Sequence, residues 1–385
     1  MTEAGKPVVV LTGVTGAVGR ELAVRVVRQP GTRVVCLIRA ATDADADRRL
    51  AETLAELAVH HSLSADERSR IEALRGDITQ PRLGLSAAAW ESLAAQTTRI
   101  IHGAASVSWS LPLEEARRIN TGGTREMLQL AHAAARHGSL QAFDYLSTVM
   151  VAGRRTGLIP ESELDDSAGF WSTYEQSKCD AERAVWAEKA SLPVSVFRLS
   201  MVVGDSRTGH TSTFNVMYWP LKMLSRGVFW IAPGDPKGVI DIVPVDYVAD
   251  AIEAIGSNPA HCGQCFHIAA GAEDCCTMSD LLDLAVEVMG VRRPVLVRPA
   301  LFFACVRPLL LAVTWGRRRQ ALRKARIYLP YLSYAARFDT SRTRAMLEPF
   351  ALRPPPVRAY FRTLIEYAIA ADWGKRAPAP AVRER

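Results

Sequence analysis

A chain of 385 residues, 49% hydrophobic and 23% charged, has room for one α/β domain with a smaller appended lobe. No apolar window reaches the ~18–20 residues of a membrane span, and residues 1–6 are too short and polar for a secretory signal, so a cytoplasmic protein is expected. The net charge of +7 hides an asymmetry: residues 291–385 hold 20 Lys+Arg against 5 Asp+Glu, leaving −8 on the rest. A basic C-terminal portion points to an anionic partner, and without a nucleic-acid motif a phosphate-bearing substrate, an acidic carrier protein or an anionic membrane surface fits better than nucleic acid. A merely solvated arginine-rich surface is the bland alternative.

In chain order, an apolar β-branched run over 8–12 ends at Thr12, and Gly13, Gly16 and Gly19 follow at three-residue spacing before a helical pattern carrying Leu22, Val26 and Val27. A buried strand, a tight turn and a helix start in that order let a pyrophosphate reach backbone N–H groups at the positive end of a helix. The second strand is expected over 33–38 and ends at Arg39, with Arg48 and Arg49 beyond it and no carboxylate before Asp43. An acid at this strand end hydrogen-bonds the 2′-OH of NAD, whereas arginine accommodates the 2′-phosphate of NADP, so NADPH is favoured over NADH.

A helix over about 43–60, strands over 71–75 and 99–102, a helix that Asn120 starts or enters, and a strand over 140–147 continue the alternation. Strands alternating with helix-length segments imply a doubly wound parallel sheet. Asp77, just past the third strand, is placed to hold the adenine amino group, and Gly103-Ala104-Ala105 is small enough to lie against the cofactor. The fifth strand ends in Ser147-Thr148. A later helical pattern sets Tyr174 and Lys178 four apart, hence on one face. A phenol beside an ammonium is an acid for a carbonyl under reduction, with its pKa expected to be lowered by that charge. A Thr148 hydroxyl would steady the same oxygen.

Cys262-x-x-Cys265 with Cys275-Cys276, His261 and His267 does not have zinc-ribbon spacing, and is read as small thiols packing around a strand over 265–270, with no metal. The odd total of seven cysteines fits reduced thiols. An amphipathic helix is expected over 278–289 and a short strand over 295–297. The apolar, arginine-flanked stretch 300–324, interrupted at Arg307-Pro308, can lie in a membrane interface, close as a lid over an acyl chain, or pack as core. The tail 373–385 is expected to be disordered.

The glycine turn, the Ser147/Thr148 strand end and Tyr174-x-x-x-Lys178 resemble the extended short-chain dehydrogenase/reductase superfamily. Leu37-Ile-Arg-Ala40, Arg75-Gly-Asp-Ile78, Ile101-His-Gly-Ala-Ala105, Tyr145-Leu-Ser-Thr-Val149, Tyr174-Glu-Gln-Ser-Lys178 and Val203-Gly-Asp-Ser-Arg-Thr-Gly209 resemble its thioester-reductase and fatty acyl-reductase branch, as does the run from Asp241 to Ala249. The resemblance spans about residues 8–255. It implies a Rossmann-type sheet over 1–200, with returns near 239–256, and a substrate-binding lobe over 201–372. Thr148, Tyr174 and Lys178 are the implied catalytic set. The implied cofactor contacts are Gly13, Thr15, Gly16, Ala17, Val18, Gly19, Arg39, Arg49, Asp77, Ile78, Ala104 and Ala105, together with Tyr174 and Lys178. Three positions depart from the branch: glycine at 103, Met150 where an aromatic is frequent, and Ser200 in place of a proline. The implied activity is NADPH-dependent reduction of an acyl thioester, on coenzyme A or a carrier protein, to an aldehyde, which a second hydride step would take on to the alcohol. Reduction of a lipid or steroid ketone, nucleotide-sugar epimerisation, and non-catalytic NADP sensing on the same fold are the rivals.

Overall fold

The seven β-branched and apolar runs assemble into one parallel sheet in the computed structural model. It describes residues 6–313 except 59, 163, 215–216 and 228–229, together with 316, 319 and 335–376. The strands are β1 (Val8–Thr12), β2 (Arg33–Ile38), β3 (Ile71–Arg75), β4 (Arg99–His102), β5 (Ala142–Thr148), β6 (Val194–Leu199) and β7 (Cys265–Ile268). Their order is β7-β6-β5-β4-β1-β2-β3, every neighbouring pair parallel. Strand order reverses between β1 and β4, and in such sheets ligands bind in the crevice outside the strand ends at that switch.

The strands are apolar on both faces because helices cover both. On one face α1 (Ala17–Val27), α2 (Asp43–Ala58) and α6 (Val245–Gly256) bury Leu22, Val26, Leu50, Val248 and Ile252 against Leu11, Ile101 and Phe197. On the other α3 (Ala87–Gln96), α4 (Gly123–Arg136) and α5 (Thr173–Ala187) bury Trp90, Met127, Leu130 and Val185 against Val10, Ile100, Phe143 and Tyr145. A separate cluster joins Tyr218, Leu221, Leu281, Phe361 and Leu364, bringing together α7 (Met278–Met289) and α8 (Val357–Ala370). The edge strand β7 is drawn from beyond residue 256, so the chain returns to the main sheet after it has begun the second cluster.

The fifth strand starts two residues later than its pattern predicts, at Ala142, and ends at Thr148, which pairs with Leu199. Pro308 does not end the apolar stretch: the chain is helical over Pro299–Leu301 and again over Arg307–Val313. The π-turn Phe302–Val306 just before it is the widened geometry that lets a helix pass a proline. Phe302 is buried while Leu301 and Leu309 are exposed, and most of 314–324 lies outside the described residues, as does 377–385 of the tail. No helix of the described residues is long and apolar enough to cross a membrane.

Candidate active site

The turn after β1 has no room for a side chain at Gly13 or Gly19. Gly13 has φ +87°, and a Cβ there would stand 2.9 Å from the Gly103 carbonyl carbon, so β1 and β4 touch backbone to backbone at the switch point. A Cβ on Gly19 would stand 2.6 Å from the Gly13 carbonyl carbon and closer still to its oxygen. The Gly16 amide closes the turn by donating to the Gly13 carbonyl at 2.9 Å. Gly16 caps α1 with no side-chain hydrogen bond, and the first turn of α1 holds no acid. The N–H groups of Ala17 and Val18 therefore face the crevice without a capping side chain, a fit to a pyrophosphate rather than to a neutral group. Arg20 braces the turn from below, donating to the Thr15 carbonyl at 3.1 Å and pairing with Glu56 at 2.5 Å.

Arg39 is exposed at the end of β2, and Arg49 donates to its carbonyl. Arg48 is tied down on its own helix by Asp45 and Glu52. Asp77 sits past β3 with one carboxylate oxygen accepting from both the amide and the hydroxyl of Thr79 at 2.8 Å. Ile78 packs against Gly123 at the start of α4, where a Cβ would stand 2.6 Å from its methyl.

Thr148 and Tyr174 meet at the end of β5, and Lys178 reaches the same strand two residues earlier, at Leu146. The helix α5 starts where it does because Ser172 accepts from the Glu175 amide while the Glu175 carboxylate accepts from the Trp171 amide at 2.8 Å. That cap aims Tyr174 and Lys178 at the end of β5. Burial pushes the Tyr174 phenol up to about 12, with the Thr148 hydroxyl beside it pulling the other way. The expected lowering of this phenol is therefore reversed here: withdrawal from water outweighs any help from charge. Lys178 is buried over the Tyr145 ring, 4.1 Å from its centroid, and donates to the Leu146 carbonyl at 2.9 Å. Burial brings the Lys178 ammonium down to about 7, with the Glu182 charge opposing it.

The sequence profile of the male sterility protein family matches residues 11–252, more than half of the chain. The chain belongs to that family. It is thereby an extended short-chain dehydrogenase/reductase, a class of NAD(P)-dependent oxidoreductases, and its cofactor is a nicotinamide dinucleotide. Among its relatives, the isonitrile lipopeptide synthase of Streptomyces coeruleorubidus is 33% identical over 261 residues, 65% of this chain and 17% of that protein. The carboxylic acid reductase of Mycobacterium tuberculosis is 30% identical over 308 residues, 71% of this chain and 25% of that one. The chain thus spans a quarter or less of these two relatives. Among solved structures, the terminal R domain from the myxalamid PKS-NRPS pathway superposes with a TM-score of 0.82 at 26% identity, covering 98% of this chain and 94% of that one.

Two features of this family member escape a reading of the sequence. Ser147 and Thr148 alternate across β5, and Ser147 turns away, donating to Glu182 at 2.6 Å. Glu182 is fully buried and pairs with Arg198 at 2.7 Å, which fastens α5 to β5 and β6. The second is Asn120, legible only as a helix position. It lies in the π-turn Arg118–Gly122, where its Oδ1 accepts from the Ser106 amide at 2.8 Å and its Nδ2 donates to the Ser177 hydroxyl at 2.9 Å. An asparagine inside a helical pattern, followed at once by Thr121-Gly122-Gly123, is the signal that could have raised it. The cysteine cluster disperses: Cys265 is buried in β7, His261 is held by Asp144 at 2.8 Å, and His267 contacts the Asp339 carbonyl. Among the described residues no group of three or more His, Cys, Asp and Glu could hold a metal.

Proposed function

We propose that this chain reduces an acyl thioester, carried on coenzyme A or on an acidic carrier protein, to an aldehyde with NADPH. The observation that carries the proposal is the pairing of the Thr148 hydroxyl with the Tyr174 phenol at the end of β5, with Lys178 bonded to the Leu146 carbonyl of the same strand. A carbonyl oxygen seated between two hydroxyls accepts from both, and the developing negative charge strengthens those bonds most in the transition state. Tyr174 stays protonated at neutral pH because burial holds it near 12, so it meets the substrate as an acid. The nicotinamide, when bound, supplies a hydride to the carbonyl carbon. As the carbonyl π electrons move to oxygen, Tyr174 gives that oxygen its proton. The resulting hemithioacetal returns that proton to Tyr174 as its C–S bond breaks, and the departing thiolate takes a proton from water, leaving the aldehyde and the free thiol. A second round on the aldehyde would give the alcohol.

Gly13, Thr15, Gly16, Ala17, Val18 and Gly19 would hold the pyrophosphate, Arg39 with Arg49 the 2′-phosphate, and Asp77 with Ile78 the adenine. Ala104 and Ala105 would lie along the ribose and nicotinamide, with Tyr174 and Lys178 at the ribose hydroxyls. We assign the acyl chain to the lobe over 201–372, whose apolar cluster is separate from the two sheet faces. The C-terminal surplus of arginine supports an acidic carrier as the donor. The names of the relatives, a lipopeptide synthase and a carboxylic acid reductase, support acyl reduction over sugar chemistry.

The test is Tyr174→Phe with NADPH titration and turnover measured on the same preparation. Loss of turnover with NADPH affinity kept within about twofold is expected. Full activity in the variant would end the proposed mechanism.

A further inference from the structure

A chain of buried hydrogen bonds leads from the end of β1 to the turn of helix that carries Tyr174, and every donor in it can be assigned. The Thr12 side-chain oxygen accepts from the amides of Gly103 at 3.1 Å and Ala104 at 3.0 Å. A hydroxyl has two acceptor sites and one proton, so the Thr12 proton is left for the third neighbour, His102 Nδ1 at 2.8 Å. Nδ1 is therefore an acceptor, and a neutral imidazole must carry its hydrogen on Nε2. Nε2 lies 3.1 Å from the Thr124 hydroxyl, which passes its own proton to the Asn120 carbonyl at 2.7 Å. Asn120 in turn clamps the Ser106 backbone and donates to Ser177, whose hydroxyl donates to the Tyr174 carbonyl at 2.9 Å. Thr12, His102, Asn120, Thr124 and Ser177 are all buried.

We infer that His102 is a positioning residue, acting only as the Nε2–H tautomer, that couples the 103–105 turn beside the glycine cradle to the Asn120–Ser177 junction under Tyr174. A protonated ring would aim an Nδ1–H at a Thr12 oxygen with no acceptor site left. Burial, assisted by the nearby Lys178 charge, holds the imidazole basicity down to about 3, consistent with one fixed neutral tautomer. A threonine at 124 rather than an apolar residue on the buried face of α4 has its reason here, since its hydroxyl joins the ring to Asn120.

The kinetic part rests on the reductase reading; the tautomer part does not. With histidine-selective 15N labelling, the resonance lost in His102→Gln identifies the ring. It should show an unprotonated Nδ1 and a protonated Nε2, unchanged from pH 5 to pH 8, with or without NADPH. A protonated Nδ1, or titration within that range, overturns the inference whatever the enzyme reduces. For the coupling, Thr124→Val removes one hydroxyl and leaves the Thr12 side intact. It should lower kcat about fivefold to tenfold while the NADPH Kd and the thioester KM stay within about twofold, the size expected of one buried hydrogen bond. Thr124→Ser, which restores the hydroxyl, should recover kcat. An unchanged kcat in Thr124→Val, or no recovery in Thr124→Ser, overturns the coupling. So does a loss of kcat matched by an equal loss of NADPH affinity.

Discussion

Replacing Gly19 by alanine tests the cradle with a single methyl group. The added Cβ would stand 2.6 Å from the Gly13 carbonyl carbon and 2.9 Å from the Val14 amide nitrogen, all rigid backbone. Carbon atoms in contact prefer about 3.5–4.0 Å, so either the glycine turn or the first turn of α1 must retreat by about 1 Å. Neither is free to do so. Val14 is buried, Leu22 and Val26 are locked in the sheet-face core, and Gly13 already abuts Gly103. Overpacking of this kind costs about 1–3 kcal/mol of stability. The larger effect falls on binding, because a 1 Å shift takes the Ala17 and Val18 amides out of reach of a phosphate. Each lost charge-assisted hydrogen bond is worth about 1.5–3 kcal/mol, so the NADPH Kd should rise about tenfold to a hundredfold for the loss of one of the two, and further if both go. Titration followed by nicotinamide fluorescence reads this directly, with circular dichroism confirming the fold. An unchanged Kd in folded Gly19→Ala protein would refute the assignment of this turn to the cofactor.

Three further outcomes follow from other parts of the site. Arg39→Ala should weaken NADPH about tenfold and leave NADH almost unaffected, because only the 2′-phosphate distinguishes the two; equal losses for both would remove Arg39 from the site. Lys178, neutralised near pH 7 in the fold and near 10.5 when unfolded, leaves the unfolded state with more bound protons between those values. Through this group alone stability rises with pH from about 7 to 10.5, opposed by His261, which Asp144 raises to about 10 against its burial. Denaturant titrations of Lys178→Met should therefore show a lower slope of stability against pH than the parent chain over that range, and an equal slope would contradict the shift. Glu182→Gln strands the buried Arg198 guanidinium and should cost about 3–5 kcal/mol in the same titrations, with a cost below 1 kcal/mol contradicting the anchor.

The sheet was legible because most of its strands announce themselves as short apolar runs alternating with helix-length segments, although the pattern sets no bounds for the strand Val194–Leu199 or the helix Ala87–Gln96. The glycine turn was legible for a related reason: Gly19 is demanded by its local backbone contact with Gly13, which a strand–turn–helix pattern already implies, whereas the contact that demands Gly13 comes from Gly103. Thr148 and Tyr174 lie close together as the spacing and the resemblance led one to expect. What could not be read was anything set by long-range burial. The Tyr174 phenol depends on how much water reaches it, and burial reversed the sign expected from its lysine. Asn120 acquires its partners from residues 106 and 177, which no local pattern connects. Ser147 and Thr148 look interchangeable until strand alternation sends one to Glu182 and the other to Tyr174. Pro308 reads as a break, yet a π-turn one step earlier absorbs it.

The central claim is that a thioester, rather than a ketone or a sugar, is reduced at the Thr148–Tyr174 pair. NADPH oxidation should be followed by absorbance against a panel of acyl-coenzyme A esters, acyl-carrier thioesters, ketolipids and nucleotide sugars, with free thiol titrated in the same cuvette. Thioester-dependent oxidation releasing one thiol per aldehyde formed is the expected result. Oxidation driven by a ketolipid with no thiol release, or none with any thioester, would contradict it.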